Sequence, residues 1–283
     1  MALLKVNFFS NALGMAMQMD VILPEGNQGV GVAAKPLWDG KEPLPVLYLL
    51  HGASDDNTIW QRRTSIERYV ADKKLAVVMP NAHLSMYSNQ YLGFNFFDFI
   101  AYEVPEFCQK YFKVSDRRED NFIAGLSMGG YGTLKIGMSC GDRFSYAASL
   151  SGACDRAGTI PEAARSCSSL QELEDLRPKL TQMEYDMVRR MFITFGPPSE
   201  FGDRVQDDMF KLSEERIKAG KPMPELFITC GTEDFLIEGN RKFHRHLENL
   251  GYQHIYYEAP GIHNWDYWDT HIQKVLDWLP LEK

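Results

Sequence analysis

Three residues, taken in chain order, have the types and neighbours for acyl transfer: Ser127 in "NFIAGLSMGG", Asp234 in "CGTEDFLIEGN" and His263 in "YYEAPGIHNWDYW". A serine hydroxyl is a weak nucleophile until a base takes its proton, and the base needs a carboxylate to fix its tautomer. Ser127 stands between Gly125 and Gly129, where an apolar, strand-like run meets a helix-like one. At such a strand-to-helix turn small neighbours relieve crowding around a strained backbone, and the helix N-terminus favours developing negative charge. Asp234 follows the strand-like "ELFITCG" and His263 the strand-like "HIYYEAPG". The order serine, acid, histidine is one of the known chain orders of a hydrolytic triad. Glu233 and Glu238 are the competing acids.

An oxyanion needs two donors. The backbone N–H of Met128 supplies one, and the turn in "LLHGAS" points to the N–H of Ala53 as the other, with His51 shaping the turn and not acting as a base. Trp60, Tyr87 and Trp265, on loops beside the same place, are the aromatic candidates for pocket walls, with ordinary packing as the competing reading. His244 and His246 sit two apart on a predicted helix and point away from each other; His83, His254 and His271 have no ligand spacing, so no metal is expected.

The elements that must position these residues are legible as short runs. "LLKVNFF" and "MAMQMDVIL", joined by the turn "SNALG", read as strands; "LPVLYLLHG", "LAVVMP", "NFIAGLS", "SYAASLSG", "ELFITCG" and "HIYYEAPG" read as six more. The central ones are nearly continuous in apolar residues, as strands buried on both faces should be. Helical stretches lie between them: "NTIWQRRTSIERYVADKK", "DFIAYEVPEFCQKYF", "MGGYGTLKIGMSCGD", "NRKFHRHLENLG" and "DYWDTHIQKVLDWL". This alternation predicts an α/β fold with a mostly parallel central sheet of about eight strands, helices on both faces, and ligands beyond the strands' carboxyl ends. Residues from about 155 to 222 break the alternation with charged, helix-prone segments and read as a helical cap inserted into a single domain spanning 1–283.

Bulk properties exclude other classes. The 283 residues are 45% apolar, enough for a large core, and carry a net charge of -8 with no long basic run, which argues against nucleic acid as a partner. The N-terminus lacks the layout of a secretory leader, and no apolar run reaches the roughly 18 residues of a membrane span, so a cytoplasmic protein is expected. The five cysteines have neither disulfide-framework nor zinc spacing and are expected as free thiols.

Taken together, "VNFFSNALGMAMQMDVILPEG", "PVLYLLHGASDDNTIW", "MPNAHLSMYSN", "EVPEFCQKYF", "AGLSMGGYGTLKIG", "CGTEDFLIEGN" and "GIHNWDYW" resemble the esterase D and tributyrin-esterase branch of the α/β-hydrolases over most of the chain. The resemblance implies a cofactor-free, cytosolic serine carboxylesterase with Ser127, Asp234 and His263 as triad and Ala53 and Met128 as oxyanion donors. It also implies a range of relatives: S-formylglutathione hydrolases, feruloyl and acetyl esterases, and acyl-transferring mycolyltransferases. The leading expectation is hydrolysis of short-chain or aryl esters, with possible self-association as a homo-oligomer. The alternatives are a thioesterase or acyltransferase, for which Arg62 and Arg63 are the nearest basic residues, and a non-catalytic binding protein, against which the intact triad argues.

Overall fold

The least polar runs take the middle of the sheet. In the computed structural model, which describes residues 1–25 and 37–281, Val46–Leu50, Ala76–Pro80, Asn121–Leu126 and Tyr146–Leu150 form β3, β4, β5 and β6. They are flanked by β1 (Ala2–Ser10) and β2 (Met15–Leu23) on one side and by β7 (Glu225–Gly231) and β8 (Ile255–Ala259) on the other. Among the described residues these make one eight-stranded sheet in the order β1-β2-β4-β3-β5-β6-β7-β8. β2 pairs antiparallel with both β1 and β4, and every other pairing is parallel. The β1–β2 turn closes where the sequence places it: Gly14 takes φ +67° and donates its N–H to the Ser10 carbonyl at 2.9 Å.

The helices are α1 (Ile59–Arg63), α2 (Ile66–Tyr69), α3 (Phe96–Asp98), α4 (Val104–Phe112), α5 (Met128–Ser139), α6 (Leu170–Leu176), α7 (Gln182–Phe195), α8 (Met209–Lys218), α9 (Ile237–Asn249) and α10 (Trp265–Trp278). Of the stretches expected as single helices, one is broken and one runs on through a π-helical turn, each for a local reason. Between α1 and α2 the Thr64 hydroxyl donates to the Trp60 carbonyl at 2.5 Å and accepts the Ile66 N–H at 3.1 Å, replacing the helical ladder. Between α3 and α4 the π-helical turn Phe99–Glu103 absorbs the offset forced by Pro105, which has no N–H to donate.

Apolar side chains pack on both sheet faces. One cluster joins β2, β3 and β4 to α4, α5, α8 and α9, and the other joins the opposite face to α1, α2 and α10. Helix α5 is buried from Met128 to Met138, so it has no solvent face to be amphipathic about. The segment between β6 and β7 contains α6, α7 and α8; α7 opens with a reciprocal cap between Thr181 and Glu184, and Asp208 caps α8. Among the described residues no helix is long and apolar enough to cross a membrane.

Candidate active site

The turn after β5 explains both flanking glycines. A Cβ on Gly125 would lie 2.6 Å from the Gly129 carbonyl carbon, and one on Gly129 would lie 2.6 Å from the Leu50 oxygen. Both glycines are needed because β5, α5 and β3 approach so closely, and neither has a positive φ. The strained residue is Ser127 itself, at φ 53° and ψ -114°, a conformation that costs of order 1–3 kcal/mol and persists only when surroundings enforce it. Its N–H is pinned to the Leu150 carbonyl at 2.9 Å.

Residues from three strand ends converge there. His263 Nε2 lies 3.0 Å from Ser127 Oγ, and its Nδ1 lies 2.8 Å from Asp234 Oδ2. Asp234 is buried, and its other oxygen accepts the Leu236 N–H at 2.8 Å. Burial by itself would raise this carboxyl's pKa; hydrogen bonds from His263 and Leu236, helped by the nearby imidazole charge and Ser151, outweigh it and hold the group below the ordinary aspartate range. The competing acids are occupied elsewhere. Glu233 accepts the Gly261 N–H at 2.6 Å and the Thr232 hydroxyl at 2.7 Å, and Glu238 pairs with Arg241 at 2.8 Å.

Among the described residues neither the Met128 nor the Ala53 N–H has a backbone acceptor, so both are free for a ligand oxygen. The loop carrying Ala53 is held from below by His51, which is buried with Nδ1 donating to the Gly52 carbonyl at 2.7 Å and Nε2 accepting the Ala82 N–H at 2.9 Å. Both nitrogens are used in the neutral form, and burial lowers the His51 pKa to about 4. An unfolded histidine titrates near 6.5, so the unfolded chain takes up a proton first: stability is whole above about pH 6.5 and is lost as pH falls towards 4, by about 3 kcal/mol in total. Urea unfolding of the parent and His51→Gln across this range should show the steeper acid loss in the parent; parallel curves would remove His51 as the cause.

The three aromatic wall candidates are packed into the structure around the site. Trp60 is 1% exposed and donates its indole N–H to the Leu50 carbonyl at 3.0 Å; Tyr87 is fully buried, with its hydroxyl donating to the His51 carbonyl at 2.9 Å. Trp265 is half-buried and stands edge-on between Trp60 and Trp268, with ring centroids 5.2 and 5.3 Å away. The polar atoms of Trp60 and Tyr87 and the ring of Trp265 are thus engaged with neighbouring residues, and none of the three lines the cavity that reaches Ala53 and Met128. Trp268 does touch the site: it meets the His263 ring edge-on at 4.9 Å and donates to Ser151 Oγ at 3.1 Å.

A cavity of about 380 Å³ does reach Ala53 and Met128, and its other walls are Ser54, Leu84, Met86 and one face of α7: Met187, Arg190, Met191, Thr194 and Phe195, with Arg156 from the loop after β6. These residues carry no motif. The available signals were helical spacing along α7 and the position of Arg156 just beyond a strand's carboxyl end. Arg62 and Arg63 lie exposed on α1 and do not line it. Among the described residues no group of three or more histidine, cysteine or acidic side chains is placed to hold a metal ion.

A mostly parallel sheet that presents a strained serine turn beyond its carboxyl edge defines the α/β-hydrolase class. Within that class the chain belongs to the family described as "Putative esterase", whose model matches residues 10–279. It is 28% identical over 286 residues to an acetyl esterase of Caldicellulosiruptor saccharolyticus, covering 99% of this chain and 98% of that one. It also resembles two solved structures from Staphylococcus aureus. One is the fluorophosphonate-binding serine hydrolase FphF in its substrate-bound form, at 35% identity with a TM-score of 0.77; the other is the S-formylglutathione hydrolase FrmB, at 32% and 0.73. Each likeness covers 98% of this chain and 98% of the other. The protein is a serine carboxylesterase.

Proposed function

We propose that this carboxylesterase works through an acyl-enzyme on Ser127, with His263 as general base and acid, Asp234 as the group that fixes the imidazole, and the N–H groups of Ala53 and Met128 as oxyanion donors. The observation that carries the reading is the bridging imidazole, 3.0 Å from Ser127 Oγ and 2.8 Å from Asp234. As Ser127 Oγ attacks the ester carbonyl, His263 Nε2 takes the hydroxyl proton and the carbonyl oxygen becomes an oxyanion between the two N–H groups. Collapse of the intermediate breaks the C–O bond to the alcohol, which leaves with the proton from His263. Water then repeats the sequence on the acyl-enzyme and regenerates the serine. The chain's own residues supply every proton transfer.

Short acyl and aryl esters are the proposed substrates. The modest, largely apolar cavity beside Ala53 and Met128 and the likeness to an acetyl esterase both support them. The segment from 155 to 222 acts as the cap that shapes the cavity, and five buried, unpaired cysteines suit the reducing cytoplasm. A fluorophosphonate is expected to add one adduct, on the peptide that carries Ser127, and none to Ser127→Ala; an adduct on another residue would overturn the assignment. Thioester hydrolysis is the second reading, supported by the likeness to FrmB at 32% identity. It wins if kcat/KM for S-formylglutathione exceeds that for every p-nitrophenyl ester from acetate to octanoate.

A further inference from the structure

Two guanidinium groups line the same cavity as the Ala53 and Met128 N–H groups. Arg156 Nε is closed off from solvent without an acceptor, and among the described residues neither Arg156 nor Arg190 forms an ion pair. The acid nearest in sequence is already taken: Asp155 pairs with Lys242 at 2.8 Å and accepts the Gly158 N–H at 2.8 Å. Burial works against the Arg156 charge, and the neighbouring Arg190 adds to it, although Asp155 offsets part of the effect. An arginine keeps its proton under all ordinary conditions, so this tension is relieved by an anion and not by ionisation.

The remaining walls sharpen the point. Leu84, Met86, Met128, Met187, Met191 and Phe195 offer no counter-charge, and their apolar surroundings strengthen any charge pairing that a ligand supplies. Arg190 reaches the cavity because it stands three residues after Met187 and four before Thr194 on α7, both of which line it; Arg189 falls to the other side of the helix and does not line the cavity.

We propose that Arg156 and Arg190 form an anion subsite that recognises a carboxylate carried by the ester substrate. Resting on the esterase reading above, this narrows the substrate class to esters bearing one carboxylate, either on the acyl group, as in a half-ester of a dicarboxylic acid, or on the alcohol. The planar fork of Arg156 suits bidentate carboxylate binding, and Arg190, at the exposed side, screens and steers the same charge.

The test compares matched pairs of substrates. On the acyl side these are monomethyl and dimethyl glutarate, and on the alcohol side 4-acetoxybenzoate and its methyl ester. In the parent enzyme the anionic member of at least one pair is expected to have the higher kcat/KM, and the pair that does so identifies the side that carries the charge. Arg156→Met should lower the anionic-to-neutral ratio of that pair by about 10- to 100-fold, Arg156→Lys by less because it keeps charge without the fork, and Arg190→Gln by less than Arg156→Met. Arg189→Gln should leave the ratio where it was. Ratios that do not move in Arg156→Met overturn the subsite. Failure of the esterase reading looks different: then no ester of either kind turns over. The subsite is still read in that case by calorimetric binding of monomethyl glutarate to Ser127→Ala, which Arg156→Met must abolish.

Discussion

Asp234→Asn is expected to lower kcat/KM for neutral short esters by about 10⁴-fold without unfolding the protein. The two oxygens of Asp234 have separate duties: one accepts the Leu236 N–H at 2.8 Å and the other meets His263 Nδ1 at 2.8 Å. An asparagine can keep the first bond only by leaving its oxygen towards Leu236. Its amide NH₂ then faces Nδ1 and donates to it, which puts the imidazole proton on Nε2, the nitrogen that has to accept from Ser127. The geometry survives and the base is disabled. Because the folded carboxyl is held below its ordinary pKa, it contributes stability above about pH 4 that fades as pH falls through the lower folded value. The asparagine variant should therefore melt lower than the parent near neutral pH, and the gap should narrow in acid. Thermal unfolding at several pH values and steady-state kinetics check both arms; a variant within tenfold of the parent would mean that Asp234 does not set the tautomer.

What the sequence showed of this site follows from how locally each feature is determined. The strand-turn-helix around Ser127 was legible because one apolar run, two glycines and a helical stretch lie within a few residues, and the close approaches at Gly125 and Gly129 show why. Asp234 and His263 were legible because a site in such a sheet is restricted to the carboxyl ends of strands. The placement of the aromatic candidates was less legible, for a different reason. Whether Trp60 and Tyr87 turn outwards depends on where their polar atoms find acceptors, and the acceptors are the Leu50 and His51 carbonyls on another strand's end. The cavity that reaches Ala53 is walled instead by α7 and the loop after β6, brought there by packing between elements far apart in the chain. The helix irregularities belong to the same category at shorter range: Thr64 and Pro105 are both visible in the sequence, yet only the competing side-chain bond and the π-turn reveal that the first breaks its helix and the second distorts one that continues.

Packing at long range also sets the second large effect, on stability. Lys135 lies on α5 with 2% exposure, where its ammonium donates to Ser88 Oγ at 2.6 Å and to Asp207. Asp207 in turn accepts from Arg204 at 2.9 Å, and its backbone carbonyl accepts the Tyr131 hydroxyl at 2.8 Å. The partners are thus unequal. Asp207→Ala strands a buried cation with one neutral acceptor and is expected to cost about 3–5 kcal/mol. Lys135→Met leaves Asp207 still paired with Arg204 and should cost less, about 1–2 kcal/mol. The double variant should be more stable than Asp207→Ala alone, since the stranded charge has gone. pH supplies an independent check. Burial already lowers the Lys135 pKa and Asp207 is what opposes it, so in Asp207→Ala the folded value falls further below that of the unfolded lysine, about 10.4. That variant's deficit should shrink as pH rises towards 10, where the unfolded lysine also gives up its proton. Urea unfolding of all four proteins at about pH 7 and about pH 9.5 decides it: equal single losses, strict additivity, or a deficit that grows with pH would each show that Asp207 is not what keeps Lys135 charged. Arg204 also donates to the carbonyl of Phe195 at 2.6 Å, so the same pair ties a cavity wall to the helix that begins beside Ser127. Loosening it in Asp207→Ala should therefore raise KM for neutral esters more than it lowers kcat.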